Sequence, residues 1–184
     1  MVKVIAGLYK GRNLETPVSD TKPTKGSVKE AIFSSLSLKL KDATVLDLFA
    51  GSGAFGIEAL SRGSKFCYFN DLGKPQYKII SKNISSIGIK NASVSNLDYL
   101  KCLECLKQLN KQFDIVFIDP PYAMDVYNQI VDFLIENDML TSDAILVLES
   151  NKELNLHKYE ETFGIKVKKY GYSIVSFLRK TLQN

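Results

Sequence analysis

The tetrapeptide Asp119-Pro120-Pro121-Tyr122 directly follows the apolar run 113–118. A run of β-branched and aromatic residues that stops at two prolines is typical of a buried parallel strand ending in a rigid turn. Because ligands bind at the carboxyl ends of the strands in open α/β sheets, Asp119 is predicted to lie at a binding edge. The tetrapeptide is therefore the first candidate for a site of chemistry.

A glycine-rich turn is the second candidate. Gly51, Gly53 and Gly56 match G-x-G-x-x-G directly after a strand predicted over 44–49. This pattern indicates close approach of the backbone to a dinucleotide, a phosphate group or S-adenosylmethionine. No Gly-Lys-Ser/Thr follows, which disfavours a phosphate-cradling loop. Asp47 would repel a pyrophosphate at the helix start, whereas it suits the ammonium or sulfonium of S-adenosylmethionine.

Two further acids follow the next two predicted strands. Asp71 lies where an acid accepts hydrogen bonds from ribose hydroxyls, in NAD as well as in S-adenosylmethionine. Asp98 could receive an adenine amino group, or it could cap the next helix. The residues predicted to bind the cofactor are Asp47, Phe49, Ala50, Gly51, Ser52, Gly53, Asp71 and Asp98.

Beside such a cofactor site, Asp-Pro-Pro-Tyr suits methyl transfer to an exocyclic amine of a nucleobase. The lone pair of this nitrogen is delocalised into the ring, so the nitrogen is flat and poorly nucleophilic. Hydrogen bonds to the Asp119 carboxylate and the Pro120 carbonyl would favour a pyramidal nitrogen, and the prolines would fix that carbonyl in advance. Tyr122 would stack on the flipped or unpaired base. Asp119, Pro120, Pro121 and Tyr122 are the predicted catalytic residues.

Size and charge fit one domain with a polyanionic partner. The 184 residues are 45% hydrophobic and 24% charged, with a net charge of +4. We expect a basic hairpin arm with its connector over 1–26, and a helix with the core over 27–184. The arm, whose bases include Lys29 at its border, is a candidate phosphate contact, although a solvated flap is the alternative. The residues expected to contact RNA are Lys10, Arg12, Lys22, Thr24 and Lys25.

The cysteines indicate a reducing compartment. Three cysteines are too few for a disulfide framework. Cys102 and Cys105 form C-x-x-C within a leucine pattern typical of a helix face, so no metal site is predicted. Neither a signal peptide nor an apolar run long enough for a membrane span is recognisable. We expect a cytoplasmic location, no membrane partner and no obligate protein partner.

Strands and helices alternate from residue 43 onward, which predicts a doubly wound α/β sheet. Strands are predicted at 44–49, 65–70, 92–96, 113–118 and 144–149, and helices at 27–40, 54–62, 75–87, 98–111 and 125–138. A final hairpin over 165–178 would close this mostly parallel, seven-stranded sheet antiparallel. A smaller hairpin over 2–16 precedes the core.

The chain resembles the bacterial small-subunit ribosomal RNA guanine-N2 methyltransferases, the RsmD family. The resemblance runs from Val4 to Phe177 and is densest over 46–63 and at Asp119 to Tyr122. It implies a class I, Rossmann-like fold, S-adenosylmethionine as methyl donor, and N2 of a guanine in small-subunit rRNA as acceptor, in free RNA or in an assembling particle. Gly51, Gly53 and Asp71 are similar to the cofactor contacts of the family.

The sequence departs from the family pattern at three positions. Lys22 stands where arginine is usual, which removes a bidentate contact. Gly73 replaces a second acid, and Tyr172 stands where an aspartate is common. These changes bear on substrate contacts more than on the reaction type.

Three other functions compete with rRNA methylation. The tetrapeptide also serves adenine N6 or cytosine N4 in DNA, but no separate sequence-reading domain is evident. A non-catalytic RNA-binding assembly factor is a second alternative, which the intact tetrapeptide disfavours. A nicotinamide oxidoreductase is the weakest, because no acid or base for hydride transfer is recognisable.

Overall fold

A seven-stranded sheet forms the centre of the computed structural model, which describes residues 2–17 and 26–181. The elements along the chain are β1 (Val2–Lys3), β2 (Asn13–Leu14), α1 (Gly26–Leu36), β3 (Thr44–Asp47), α2 (Ala54–Ser61), β4 (Phe66–Asn70), α3 (Lys74–Ile87), β5 (Ala92–Ser95), α4 (Tyr99–Gln108), β6 (Phe113–Ile118), α5 (Tyr127–Glu136), β7 (Leu140–Ser150), β8 (Phe163–Tyr170) and β9 (Ser173–Lys180). No helix within the described ranges has the length and hydrophobicity needed to cross a bilayer.

The strand order is β5-β4-β3-β6-β7-β9-β8. The first five strands in this order are parallel, and β9 pairs antiparallel with both β7 and β8. The predicted doubly wound sheet with a closing hairpin is therefore confirmed. From β3 the chain first adds β4 and β5 on one side and then β6 and β7 on the other. The topological switch point therefore lies between β3 and β6, where ligands bind in such sheets.

The sheet separates two apolar layers, because successive side chains of a strand point to opposite faces. Val45, Phe117 and Val147 pack with buried residues of α1, α2 and α3 in one layer. Leu46 and Leu148 pack with buried residues of α4 and α5 in the other. Both faces of the central strands are thus covered, which explains their nearly continuous apolar sequences.

Strand β7 begins earlier than predicted. This strand begins at Leu140, because Leu140 pairs with Phe113 beyond an irregularity in register between Phe113 and Ile115. The Thr141 hydroxyl also donates to Asp114 Oδ1 at 3.0 Å. This early segment lacks the continuous apolar pattern of 144–149, and the pairing with β6 is what extends the strand.

Helices α1 and α4 end three or four residues earlier than predicted, at local turns. Helix α1 ends at Leu36, whose carbonyl accepts the N–H of Lys39 at 2.8 Å. Helix α4 ends at Gln108, and Asn110 follows with a positive φ of 50°. A left-handed asparagine just after a helix is a common helix terminator, so this end could have been recognised.

The N-terminal arm is a short hairpin of β1 and β2 fixed to the end of α2. A Cβ added at Gly7 would lie 1.8 Å from the carbonyl oxygen of Ser61, and the φ of +82° also favours glycine. Leu8 N–H donates to that carbonyl at 2.7 Å, and Tyr9 N–H donates to the Ser61 hydroxyl at 2.9 Å. The arm therefore contacts the core through its backbone.

A buried carboxylate of α2 completes this attachment. Glu58 is 0% exposed, and its two oxygens accept the N–H groups of Ile5 at 2.8 Å and Ala6 at 3.0 Å. Lys29 Nζ lies 3.1 Å from Oε2, and Arg62 Nε lies 2.8 Å from Oε1. Four donors thus satisfy the carboxylate, as a buried charge requires.

The position of Lys29 differs from the expectation of an exposed basic side chain. It is 2% exposed and also donates to the Lys3 carbonyl at 2.8 Å. Burial lowers the pKa of Lys29, while the Glu58 carboxylate opposes that shift. Because this ammonium group neutralises Glu58 inside the protein, we exclude it from the candidate RNA contacts.

Glu58→Ala is expected to destabilise the protein by about 3–5 kcal/mol, because it leaves Lys29 buried without its counter-charge. Urea denaturation followed by circular dichroism measures this free energy of unfolding. The control is Glu15→Ala, which removes the exposed ion pair with Lys82 and should cost at most about 1 kcal/mol. Equal stability of the two variants would show that Glu58 does not hold the arm.

Candidate active site

The carboxyl ends of β3, β6 and β7 carry three carboxylates on one face of the sheet. Asp47, Asp119 and Glu149 each lie two positions after a strand residue of the α1–α3 layer. These strands are consecutive in the sheet. The fold thus places the two predicted functional acids, Asp47 and Asp119, along the same edge at the switch point.

The glycine turn follows β3 and has a backbone that other residues could not easily adopt. Gly51 and Gly53 have positive φ angles of 57° and 79°, which favour glycine. Gly51 N–H donates to Asp71 Oδ2 at 2.8 Å, and Gly53 N–H donates to the Ala50 carbonyl at 2.6 Å. The turn is therefore held in shape before any ligand binds.

Gly56 joins the start of α2 to the sheet. Its N–H donates to Asp47 Oδ2 at 2.9 Å, and a Cβ on it would lie 2.2 Å from the Phe69 ring and 2.6 Å from the Cys67 sulfur. Only glycine fits between helix and strand at this point. Asp47, which is 2% exposed, therefore has a structural role in addition to its predicted role in cofactor binding.

Asp71 connects the end of β4 to both neighbouring turns. Besides the bond to Gly51, its Oδ1 accepts the N–H of Gly73 at 2.9 Å, at the amino end of α3. Each carboxylate oxygen can accept a further hydrogen bond. The predicted contact of Asp71 with ribose hydroxyls stays compatible with this geometry.

Asn83 of α3 ties the glycine turn to the arm, a connection that the sequence did not indicate. Its Oδ1 accepts the N–H of Glu15 at 2.9 Å, and its Nδ2 donates to the carbonyls of Glu15 at 3.0 Å and Ser52 at 2.9 Å. The Asn83 side chain is buried. The segment that leaves the arm therefore passes beside the predicted cofactor turn.

Phe49 and Asp98 lie at the same edge of the sheet. The Phe49 ring is 5.7 Å from the ring of Tyr99, centroid to centroid. Asp98 Oδ1 accepts the Leu100 N–H at 3.0 Å, so it caps α4, which is one of its two predicted roles. Its contact with an adenine amino group stays a prediction.

The tetrapeptide begins directly after β6. Pro120 is buried, whereas Tyr122 is 53% exposed, so the ring has a face available to solvent. The Pro121 carbonyl accepts the Met124 N–H at 2.8 Å, which closes a turn. The Ser173 side chain, in β9, opposes the rise in the pKa of Tyr122 that burial and the charge of Glu149 cause. The closing hairpin thus borders the tyrosine.

Two carboxyl groups at this edge, those of Asp47 and Asp119, have raised pKa values and ionise less readily than usual. Burial, followed by the negative charges of Glu149 and Asp47, raises the pKa of Asp119 well above its usual range. Burial also raises the pKa of Asp47 to about 7, although the hydrogen bond from Gly56 opposes the shift. A cationic ligand or N–H donors placed at this edge would favour the ionised forms.

Glu149 is a candidate functional residue that sequence analysis missed. It is 3% exposed and lies on the strand next to Asp119. A signal was present, because an acid that ends an apolar run occurs both in 113–119 and in 144–149. Its alignment with Asp119 could be known only from the pairing of β6 with β7.

The predicted RNA contacts are only partly within the described structure. Lys10 and Arg12 are exposed on the arm. Lys22, Thr24 and Lys25 lie outside the described residues. The two exposed cations follow the attached segment 4–9, so they are carried by a fixed part of the arm.

A second group of cations lies on the closing hairpin. Lys166 and Arg179 line a cleft of about 360 Å³ that also includes Ser35 of α1. Lys168 Nζ donates to the Ser35 hydroxyl at 2.9 Å and lies 5.7 Å from the centroid of the Phe177 ring. The alternating lysines of β8 indicate this group of cations in the sequence, but such lysines are equally typical of an edge strand that is protected from aggregation.

Sequence comparison relates the chain to a known family. The family model described as conserved hypothetical protein 95 matches residues 2–179. The ribosomal RNA small subunit methyltransferase D of Haemophilus influenzae is 35% identical over 182 residues, which cover 96% of this chain and 91% of the relative. The putative rRNA methyltransferase YlbH of Bacillus subtilis is 34% identical, over 97% of this chain and 99% of the relative.

Structure comparison gives similar proteins over nearly the whole chain. A putative methyltransferase from Escherichia coli superposes with a TM-score of 0.86 and 28% identity, over 99% of both chains. A putative methylase from Haemophilus influenzae has a TM-score of 0.79 and 34% identity, over 98% of both chains. The similarity thus includes the arm as well as the sheet.

Asp47→Asn is expected to change the pH dependence of stability. The folded chain retains the Asp47 proton up to about pH 7, whereas the unfolded chain loses it near pH 4, so this group lowers wild-type stability as the pH rises between these values. The free energy of unfolding of the variant, relative to wild type, should therefore rise by about 2–3 kcal/mol between about pH 5 and about pH 8.

Denaturant unfolding of the ligand-free protein at the two pH values measures this difference. The matched control is Asp125→Asn, because Asp125 is an exposed acid on the loop after β6. Its stability relative to wild type should not depend on pH in this range. A constant difference for Asp47→Asn would contradict the raised pKa.

Proposed function

Because the chain belongs to the conserved hypothetical protein 95 family, whose members include the ribosomal RNA small subunit methyltransferases D, we propose that it methylates the exocyclic N2 of a guanine in small-subunit rRNA. Methyl transfer from S-adenosylmethionine to rRNA follows from this membership. We propose in addition that the target lies in the small-subunit rRNA, that the base is guanine and that the acceptor atom is N2. The observation that carries the proposal is Asp119-Pro120 beside the glycine turn at the switch point.

The turn and its neighbours fit the cofactor. A Cβ added at Gly51 would meet no atom within 4 Å, so this part of the backbone faces open space where a ligand can approach closely. Asp71 keeps acceptor capacity for ribose hydroxyls, and Asp47 is an acid suited to a cationic ligand. When bound, S-adenosylmethionine supplies a methyl group on a positively charged sulfur.

Asp119 and Pro120 would prepare the acceptor nitrogen. The Asp119 carboxylate and the Pro120 carbonyl accept the two N–H groups of the amine, which favours a pyramidal nitrogen with its lone pair directed at the methyl group. Pro120 is buried and followed by a second proline, so the carbonyl does not have to reorganise. This preorganisation is the main contribution of the tetrapeptide.

Asp119 would also accept the proton that the reaction releases. The nitrogen becomes cationic when it forms the new N–C bond, and one of its protons then passes to the Asp119 carboxylate and on to solvent. Burial and the charges of Glu149 and Asp47 raise the pKa of Asp119, which makes the carboxylate a better proton acceptor. The exposed ring of Tyr122 would stack on the base and hold it in this position.

The rRNA backbone would lie against two basic surfaces. The first is the arm with Lys10 and Arg12, and the second is the hairpin row of Lys166, Lys168 and Arg179. Both belong to the side of the sheet that carries α1 and α2. Phosphate contacts of this kind supply affinity without reading the sequence.

Asp119→Ala is expected to lower the rate constant for methyl transfer by at least about 100-fold, because one of the two acceptors of the amine is removed. The assay follows transfer of labelled methyl groups to small-subunit RNA from cells that lack the activity, and nuclease digestion with mass spectrometry identifies N2-methylguanosine. Titration calorimetry should give a cofactor affinity close to that of the wild type.

Asp125→Ala is the matched control, since it removes an exposed acid from the loop that follows the tetrapeptide. It should methylate RNA at the wild-type rate. Full activity of Asp119→Ala would refute the mechanism. Labelling of DNA adenine or cytosine, with no labelling of RNA, would refute the proposed substrate.

We expect the loss of two cations from either basic surface to weaken RNA binding and to reduce its salt dependence. The two variants are Lys10→Ala with Arg12→Ala, and Lys166→Ala with Arg179→Ala. Each cation that no longer neutralises a phosphate should reduce the slope of log K against log salt by about 0.7–0.9. Filter binding or fluorescence anisotropy over a series of salt concentrations measures both quantities.

The control pair is Lys101→Ala with Lys107→Ala, which removes the same charge from exposed positions of α4 on the opposite side of the sheet. This variant should keep the wild-type slope. If the control lowers the slope as much as the other two pairs do, RNA binding is a response to net charge and not to these surfaces.

A further inference from the structure

We infer that the Glu149 carboxylate accepts a hydrogen bond from N1–H of the target guanine and thereby excludes adenine and cytosine as acceptors. This inference rests on the proposed function, because it concerns the base that Asp119 and Pro120 would hold. It assigns the choice of base to a residue on the strand beside the tetrapeptide.

The pairing of β6 with β7 places Glu149 next to Asp119. Ile118 lies opposite Leu148; Asp119 follows Ile118 directly after the end of β6, and Glu149 follows Leu148 within β7. Neighbouring strands are about 4.8 Å apart, and both carboxyl groups belong to the face that carries the α1–α3 layer. A planar group bound to Asp119 is therefore within reach of Glu149.

The surroundings of Glu149 fix its position and border the base. The Tyr127 hydroxyl donates to the Glu149 backbone carbonyl at 2.7 Å, inside the protein. After burial, the charge of Glu149 is the next cause of the raised pKa of Tyr122, so the carboxylate acts electrostatically on the residue predicted to stack on the base. The register of β6 and β7 places Glu149 beside Asp119, the group that would hold the amine.

The order of the strands decides on which side of the amine the ring must lie. The glycine turn follows β3, Asp119 follows β6 and Glu149 lies near the carboxyl end of β7, and these strands are consecutive. The acceptor nitrogen has to face the cofactor, which lies toward β3. The ring attached to that nitrogen therefore extends toward β7, where Glu149 is buried.

Guanine is the base whose exocyclic amine has a donor beside it. In guanine one of the two ring nitrogens beside the 2-amino group, N1, carries a proton and is a donor, whereas N3 is an acceptor. In adenine and cytosine the ring nitrogens beside the amine are acceptors without a proton. A carboxylate at this point accepts from guanine but faces a lone pair in the other two bases.

Two RNA substrates test this difference directly. Small-subunit RNA is ligated with guanine or 2-aminopurine at the nucleotide that mass spectrometry identifies as methylated, and it is used free or assembled into particles, whichever the wild type labels. 2-Aminopurine keeps the 2-amino group but has no proton on N1. We expect the wild-type enzyme to prefer guanine by at least about 100-fold in kcat/KM.

Glu149→Gln is expected to reduce this preference by at least about tenfold, because the amide can accept from guanine N1–H through its oxygen or donate to N1 of 2-aminopurine through its nitrogen. A purely structural role of Glu149 would lower both activities together and leave their ratio unchanged. Cofactor binding and thermal unfolding of the variant are measured alongside.

The matched control is Glu153→Gln, the same substitution at an exposed acid that pairs with Lys169. It should keep the wild-type ratio. The inference is overturned if the wild type methylates both RNAs equally, which needs no variant, or if Glu149→Gln keeps the full preference. Absence of any methylation of guanine by the wild type would instead refute the proposed function, and the inference with it.

Discussion

Asp47, Asp119 and Glu149 lie side by side at the ends of three consecutive strands, where burial opposes the ionisation of Asp47 and Asp119 and the charges of Glu149 and Asp47 oppose that of Asp119 further. This electrostatic constraint connects the features of the site. The ionised forms need compensation, which a cationic cofactor and the N–H groups of a base would provide in the proposed reaction. Ligand binding and deprotonation of Asp47 and Asp119 would then be coupled, so that both carboxylates would become hydrogen-bond acceptors when the substrates bind.

Hydrogen bonds also join the N-terminal arm to the elements around the glycine turn, at the same edge of the sheet. Glu58 holds the backbone at Ile5 and Ala6, and Asn83 joins Glu15 to the carbonyl of Ser52 in the glycine turn. The chain on either side of the exposed cations of the arm is thus attached to α2 and α3, the two helices that flank this turn. If rRNA binds the arm as proposed, these contacts would position it relative to the predicted cofactor site, and the buried polar residues would serve substrate alignment.

Much of the fold was predictable, because the local patterns are strong. Apolar runs predicted central strands at 44–49, 65–70 and 113–118, close to the observed β3, β4 and β6. The start of β7 was not predictable, since it depends on the pairing of Leu140 with Phe113. The departures from the family at Gly73 and Tyr172 lie on the α3 start and on the exposed hairpin turn, which leaves the turn after β3 and the tetrapeptide unchanged.

The sequence by itself determined the alternation of strands and helices, the glycine turn and the tetrapeptide, because each is encoded in adjacent residues with fixed backbone preferences. The tertiary structure decided the roles that depend on distant pairs. It buried Lys29 against Glu58, joined the glycine turn to the arm through Asn83, and set Glu149 beside Asp119. A side chain takes its charge state and its partners from neighbours brought in by the fold, and no local pattern records which neighbours these are.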